Sequence, residues 1–135
     1  MFNSETIAIL QNRLYKFTGQ RLVVRDYNLL DSAMESAFQT FEGEELYPTI
    51  EEKVARICFN IINNHPFLDG NKRFGVLAML CFLEYNEVYI EYLSEELISV
   101  GMSLASGRAT YEDLVNWIVV HKTHDKKCLT EDLFK

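Results

Sequence analysis

The chain has 135 residues, of which 48% are hydrophobic and 24% charged, a balance typical of a single globular domain. The formal net charge of −7 argues against a general nucleic-acid binder, because such proteins present a basic face. The longest apolar run, VLAMLCFL, is far shorter than a membrane span, and the first residues lack the pattern of a signal peptide. The three cysteines, an odd number without a CxxC pair, favour reduced thiols and a cytoplasmic location.

Helical periodicity begins near the start of the chain. Ser4 is a candidate N-cap for a helix near 5–17, and Asp26 is one for a second helix near 27–39. Between them, RLVVR at 21–25 lacks this periodicity. We expect it to be a short extended piece.

The segment FEGEELYP at 41–48 interrupts the helical pattern with a glycine and a proline, which predicts a loop or a small hairpin. Thr49 has capping-box spacing with a glutamate three residues later, so it opens a helix near 50–63. Pro66 disfavours helical geometry at His65 and should end this helix there.

The next helix should be the central one, because nearly every residue from 74 to 83 is apolar. A short extended VYI follows, then a helix capped by Ser94 to about 106 and one capped by Thr110 near 111–122. A polar tail begins at about 123. These patterns predict one all-α domain over 1–135, a bundle of about six helices around a buried central helix.

The stretch NNHPFLDGNKRFG at 63–75 gathers polar chemistry between two apolar segments. A helix N-terminus attracts anions, and Gly70 lets backbone approach a ligand closely. Lys72 and Arg73 oppose the helix dipole at this end, a conflict that an anionic ligand resolves. Asp69 can hold Mg²⁺, and a neutral His65 can accept a hydroxyl proton. The group suits transfer of a phosphorus-containing group from a nucleotide to a hydroxyl.

Each of these residues also has an ordinary interpretation. A lone loop histidine more often forms hydrogen bonds than catalyses, and Asp69-Gly70 is a common turn pair. Asn71 can merely cap the helix, and Lys72-Arg73 can be a solvated pair. Their joint occurrence at the mouth of the most apolar helix favours the functional interpretation.

This stretch resembles the signature of the Fic/Doc family, which reads HPFxxGNGRxxR in the Fic branch and is close to HxFxDxNKR in the Doc (death on curing) branch. The resemblance extends to VRDYNLLDSA at 24–33 and TFEGEELYPTIEEK at 40–53, and covers roughly 5–122. Two residues match the Fic spelling, Pro66 and Gly70. The residues that match the Doc form are His65, Phe67, Asp69, Asn71, Lys72 and Arg73.

The resemblance implies a role for each matching residue and a Fic/Doc-like bundle with a small flap before the motif. His65 would be the catalytic histidine, Asp69 would bind Mg²⁺, and Phe67 would anchor the loop in the core. The implied phosphate-binding residues are Gly70, Asn71, Lys72 and Arg73. The flap would dock the protein target by backbone pairing, and it comprises Glu42, Gly43, Glu44, Glu45, Leu46, Tyr47 and Pro48.

Two departures from the Fic pattern decide the implied reaction. Lys72 stands where the Fic branch has its second glycine, and Val76 stands where it has its last arginine. The pattern therefore resembles Doc, which implies a toxin that phosphorylates a threonine of a translation elongation factor with ATP and arrests growth. Transfer of AMP or another NMP group is the enzymatic alternative. A module that binds an antitoxin or a nucleotide without turnover is the other.

The family also carries an inhibitory motif, [ST]xxxE[GN], in the same chain or in a partner. The only EG pair here is Glu42-Gly43, and Phe38 stands where the motif needs Ser or Thr. The resemblance therefore implies a separate antitoxin protein that covers the nucleotide site. We expect neither a membrane partner nor direct nucleic-acid binding.

Overall fold

Helices dominate the computed structural model of the chain, which describes residues 4–124. Over that range the α-helices are α1 Ser4–Thr18, α2 Tyr27–Glu35, α3 Ile50–Asn64, α4 Asn71–Tyr85, α5 Ser94–Ala105 and α6 Tyr111–Val120. The strands are β1 Thr40–Phe41, β2 Glu44–Glu45, β3 Tyr89–Ile90 and β4 Lys122–Thr123. The all-α prediction is confirmed, and nearly all of the expected polar tail lies outside the described residues.

The core forms around α3 and α4. Every side chain of α4 from Phe74 to Leu80 is buried, which confirms it as the central helix. The inward face of α3 comprises Val54, Ile57, Cys58 and Ile61, which are fully buried. Burial raises the pKa of the Cys58 thiol to about 12, so it packs as an apolar group. No helix within residues 4–124 is long and apolar enough to cross a membrane.

Three of the predicted helix caps are present, at Asp26, Thr49 and Thr110. The other two predicted caps, Ser4 and Ser94, are wrong, and Ser4 is already the first helical residue of α1. Ser94 is already the first helical residue of α5, because Leu93 before it is extended (φ −95°, ψ 149°). The Glu96 carboxylate accepts a hydrogen bond from the Leu93 N–H at 2.9 Å and satisfies that helix end instead.

Two helices are shorter than predicted. α2 ends at Glu35 and tightens into a 3₁₀ turn, Ser36–Phe38. The Ser36 hydroxyl donates to the Ala33 carbonyl at 2.9 Å, and such local bonds compete with helical ones. α6 ends at Val120, because the following residues form β4 and pair with β3. The extended VYI piece was predicted, whereas its partner strand was not.

The segment before α3 is the predicted hairpin. β1 and β2 are antiparallel, with Thr40 opposite Glu45 and Phe41 opposite Glu44. The turn residues Glu42 and Gly43 both have positive φ (53° and 81°), as a type I′ hairpin turn requires. Both strands are exposed, so the hairpin projects from the helical body.

A hydrogen-bonded pair of His121 and Glu96 joins the C-terminal end of α6 to the first turn of α5. The His121 Nε2 lies 2.6 Å from a Glu96 carboxylate oxygen, and its Nδ1 lies 2.7 Å from the Trp117 carbonyl oxygen. The imidazole also stacks on the Trp117 ring, with 4.0 Å between centroids. The hydrogen bond from His121 holds the pKa of Glu96 below its usual value. Trp117 itself is partly buried and packs against the core.

Candidate functional site

The motif loop, residues 65–70, joins the two central helices. α3 ends at His65, whose backbone is left-handed (φ 54°, ψ 58°), an uncommon conformation for a non-glycine residue. The helix stops where Pro66 was expected to stop it. The His65 side chain is exposed and forms no hydrogen bond with any residue of the described range. Its ring nitrogens are therefore accessible from solvent.

The extended piece at 21–25 lies along the entry side of this loop. The Arg25 Nε donates to the His65 carbonyl at 2.8 Å, and a terminal guanidinium nitrogen donates to the Asn64 carbonyl at 3.1 Å. Backbone bonds join Leu68 N–H to the Val23 carbonyl and Arg25 N–H to the Pro66 carbonyl. Sequence reasoning missed Arg25. In the sequence, its role is indicated only by its position next to the Asp26 cap, within the stretch that resembles the family.

Asn71 closes the loop from inside. Its Oδ1 accepts from the Phe67 N–H and its Nδ2 donates to the Phe67 carbonyl, both at 3.0 Å. Phe67 is 1% exposed, and its ring lies 4.6 Å from that of Phe74. The expectation that Phe67 lies in the core is confirmed. Asn71 is 8% exposed and both ends of its amide are used, so its visible role is to shape the turn.

The N-terminus of α4 begins at Asn71, six positions after His65. Gly70 precedes the helix with φ 81°, and a Cβ there would lie 2.7 Å from a methyl group of Leu22. The position therefore suits only glycine. The Asp69 carboxylate accepts from the Gly70 N–H at 2.8 Å through one oxygen. The amides of the first turn have no intrahelical acceptor, so they are available to an anion.

Two exposed cations flank this helix end. Lys72 forms no hydrogen bond or ion pair with a residue of the described part of the chain. Arg73 donates to the Gln20 side-chain oxygen at 3.0 Å. One turn further, Val76 is only 9% exposed and packs beside Gly101 of α5. The exposed cationic side chains of α4 are therefore confined to its first turn.

The flap is attached to the other end of α3. Lys53, in the first turn, donates to the Glu45 carboxylate at 2.9 Å and to the Tyr47 carbonyl. The Arg56 guanidinium lies 4.9 Å from the centre of the Tyr47 ring, which also meets Tyr111 edge-on. The base of the flap is thus buttressed by α3 and α6.

The flap and the motif are not in contact. No hydrogen bond or ring contact joins residues 42–48 to residues 65–73, all of which the structure describes. Lys53 and His65 are twelve positions apart along α3, which is about 18 Å at the α-helical rise. An extended peptide of about six residues could bridge that distance.

The residues present fit a magnesium ion held mainly by phosphates. Asp69 is exposed, and only one of its carboxylate oxygens is hydrogen-bonded. Within residues 4–124, no group of three or more His, Cys, Asp or Glu side chains is placed so that it could hold a metal ion by itself. Mg²⁺ commonly takes one or two carboxylates and completes its shell with water and substrate phosphates. A single aspartate beside an anion-binding helix end meets that requirement.

Comparison with known proteins adds two findings. The Fic/DOC family model matches residues 1–83, which include the flap, the motif loop and most of α4. Toxin Doc of Mycolicibacterium smegmatis (strain ATCC 700084 / mc(2)155) is 39% identical over 72 residues. That match covers 53% of this chain and 55% of the relative, so it spans about half the length of the curated toxin.

Proposed function

Because this chain belongs to the Fic/DOC family, we propose that it is a toxin that transfers the γ-phosphoryl group of ATP to a Ser or Thr hydroxyl of a target protein. One observation carries the proposal. The exposed imidazole of His65, which has no hydrogen-bond partner among residues 4–124, follows the last residue of α3. The open N-terminus of α4 begins six positions later, with Lys72 and Arg73 in its first turn. A candidate base and a candidate anion site are thus joined by one short loop.

The reaction follows from these positions. The triphosphate lies against the first-turn amides of α4, with Lys72 and Arg73 bound to its oxygens. His65 accepts the proton of the target hydroxyl while the hydroxyl oxygen bonds to the γ-phosphorus. The bond from that phosphorus to the β–γ bridging oxygen breaks, and ADP leaves with its electron pair. A magnesium ion held by Asp69 would neutralise charge on the phosphates.

Two positions support γ-phosphoryl transfer over AMP transfer. Lys72 adds a cation where the Fic branch has glycine. Val76 replaces the last arginine of that branch, and its side chain is buried against Gly101. A guanidinium is therefore missing from the place where it would orient the nucleotide for attack at the α-phosphorus.

A cognate antitoxin is the proposed partner. The similarity to a protein named Toxin Doc supports it, and so does the absence of the inhibitory motif from the sequence. Growth arrest on expression should be relieved by a small protein encoded beside this chain. A neighbouring gene product that neither binds nor relieves arrest would contradict this part of the proposal.

Radiolabelled ATP tests the reaction. Purified protein is incubated with Mg²⁺ and a lysate of the source cells, in parallel with α-labelled and γ-labelled ATP. Label from the γ position on a protein is expected, and His65→Ala should reduce its rate by at least about 100-fold. The matched control is His124→Ala, since His124 is exposed and lies beyond α6. Label from the α position on a protein would contradict phosphoryl transfer and favour AMP transfer. Absence of label from both positions would favour a binding module.

A further inference from the structure

The conformation of His65 depends on a residue 40 positions earlier in the chain. A left-handed backbone is unfavourable for a residue other than glycine, and the last carbonyls of a helix have no partner within it. The left-handed backbone and the carbonyls without helical partners both occur in the turn that carries His65. The side chain of Arg25 relieves them, because it binds two consecutive carbonyls at this helix end.

The binding is specific to arginine. Nε and a terminal nitrogen of one planar guanidinium reach the carbonyls of His65 and Asn64. The backbone N–H groups of Arg25 and Asp26 both donate to the Pro66 carbonyl, at 2.7 and 3.1 Å. Three successive carbonyls around His65 are therefore held by one short segment. A lysine keeps the charge but cannot reproduce the planar fork.

We propose that Arg25 is a positioning residue for phosphoryl transfer, which fixes the direction in which the His65 imidazole leaves the loop without touching the nucleotide. This rests on the proposed function, in which His65 takes the hydroxyl proton. Proton transfer needs an approach of about 2.6–3.2 Å, so a modest rotation of the turn lowers the rate of the chemical step. The nucleotide binds at the α4 end of the loop, and its affinity does not depend on Arg25.

Kinetics of three variants test the proposal on the full chain with its labelled protein target. Arg25→Met should lower kcat at least about 10-fold with KM for ATP unchanged, and Arg25→Lys should recover only part of that loss. Arg21→Met is the matched control, because Arg21 lies in the same segment with its guanidinium over the Tyr15 ring, 4.5 Å from its centre. In a His65→Ala background, Arg25→Met should cause no further loss. A raised KM for ATP would indicate direct nucleotide contact. Losses in kcat that multiply in the double variant would show that Arg25 acts independently of His65. Either result would overturn the proposal.

A readout independent of activity separates this proposal from the proposed function. The backbone ¹³C chemical shifts of His65 report its φ and ψ, and they should move in Arg25→Met but not in Arg21→Met. Unchanged shifts overturn the positioning role. If the shifts move and the wild type transfers no phosphoryl group, the proposed function is what fails. Arg25→Lys keeps the test available if the methionine variant does not fold.

Discussion

At the scale of single residues, the motif divides into side chains that face solvent and side chains that build the loop. His65, Asp69, Lys72 and Arg73 are exposed. Asn71 is buried and holds both backbone polar groups of Phe67. The sequence placed all of them in one short stretch, but it could not tell the exposed side chains from the one that builds the loop. The spacing alone cannot show whether an amide caps a helix, contacts phosphate or closes a turn.

Asn71→Ala should destabilise the fold. It leaves the buried N–H and carbonyl of Phe67 without partners, which costs about 2–4 kcal/mol in the free energy of unfolding. The control is Asn63→Ala, because Asn63 is exposed and makes one bond, to the Phe59 carbonyl at 2.9 Å. Urea unfolding measures both. Equal midpoints for the two variants would contradict the structural role of Asn71.

At the scale of elements, the flap depends on helices that follow it in sequence. Its strands are two residues long and exposed, and an isolated hairpin of this size is marginal in water. Lys53 is 7% exposed, and a lysine buried to this extent normally has a partner. It bonds the flap from below at Glu45 and Tyr47, so the flap is anchored at its base. The hairpin was predictable from its turn residues, and the anchor was not.

Lys53→Met should weaken use of the protein target. The flap then loses its anchor at Tyr47, and kcat/KM for the target should fall about 10-fold, equivalent to about 1.4 kcal/mol. The affinity for ATP should stay unchanged, because the proposed nucleotide site lies at the other end of α3. Lys122→Met is the control, since it removes a different ion pair on α3, with Glu51 at 3.0 Å. A Lys53→Met enzyme with wild-type kcat/KM for the target would show that the flap does not dock it.

At the scale of the whole molecule, the packing of α3 against α4 sets the geometry of the site. The proposed catalytic histidine ends one helix and the proposed anion site begins the other, so their relation follows from this packing. Gly75 lies at the contact, where an added Cβ would approach Ile62 Cγ1 to 2.8 Å and the Cys58 carbonyl oxygen to 3.2 Å. The second of these neighbours is backbone and cannot move aside. The two helices therefore approach as closely as a glycine allows.

Gly75→Ala and Gly101→Ala should have opposite effects on stability. The first forces the central helices apart and should cost about 1–3 kcal/mol. The second adds a Cβ at an ordinary 3.5 Å from Val76 Cγ2, and alanine favours a helix interior by up to about 1 kcal/mol. Thermal unfolding of both variants measures the difference. Loss of stability in Gly101→Ala equal to that in Gly75→Ala would show that the contact at Gly75 is not special.

The sequence by itself determined the helical class, the central helix, the hairpin and the residues of the motif. These are local properties, since periodicity, turn residues and capping side chains act within a few positions. Only the tertiary structure decided which residues hold the motif in place, because Arg25 reaches Asn64 and His65 across some 40 positions. It also joined β3 to β4 and placed Lys53 under the flap. Such contacts depend on how the helices pack, and no local pattern encodes the distance between two residues far apart in the chain.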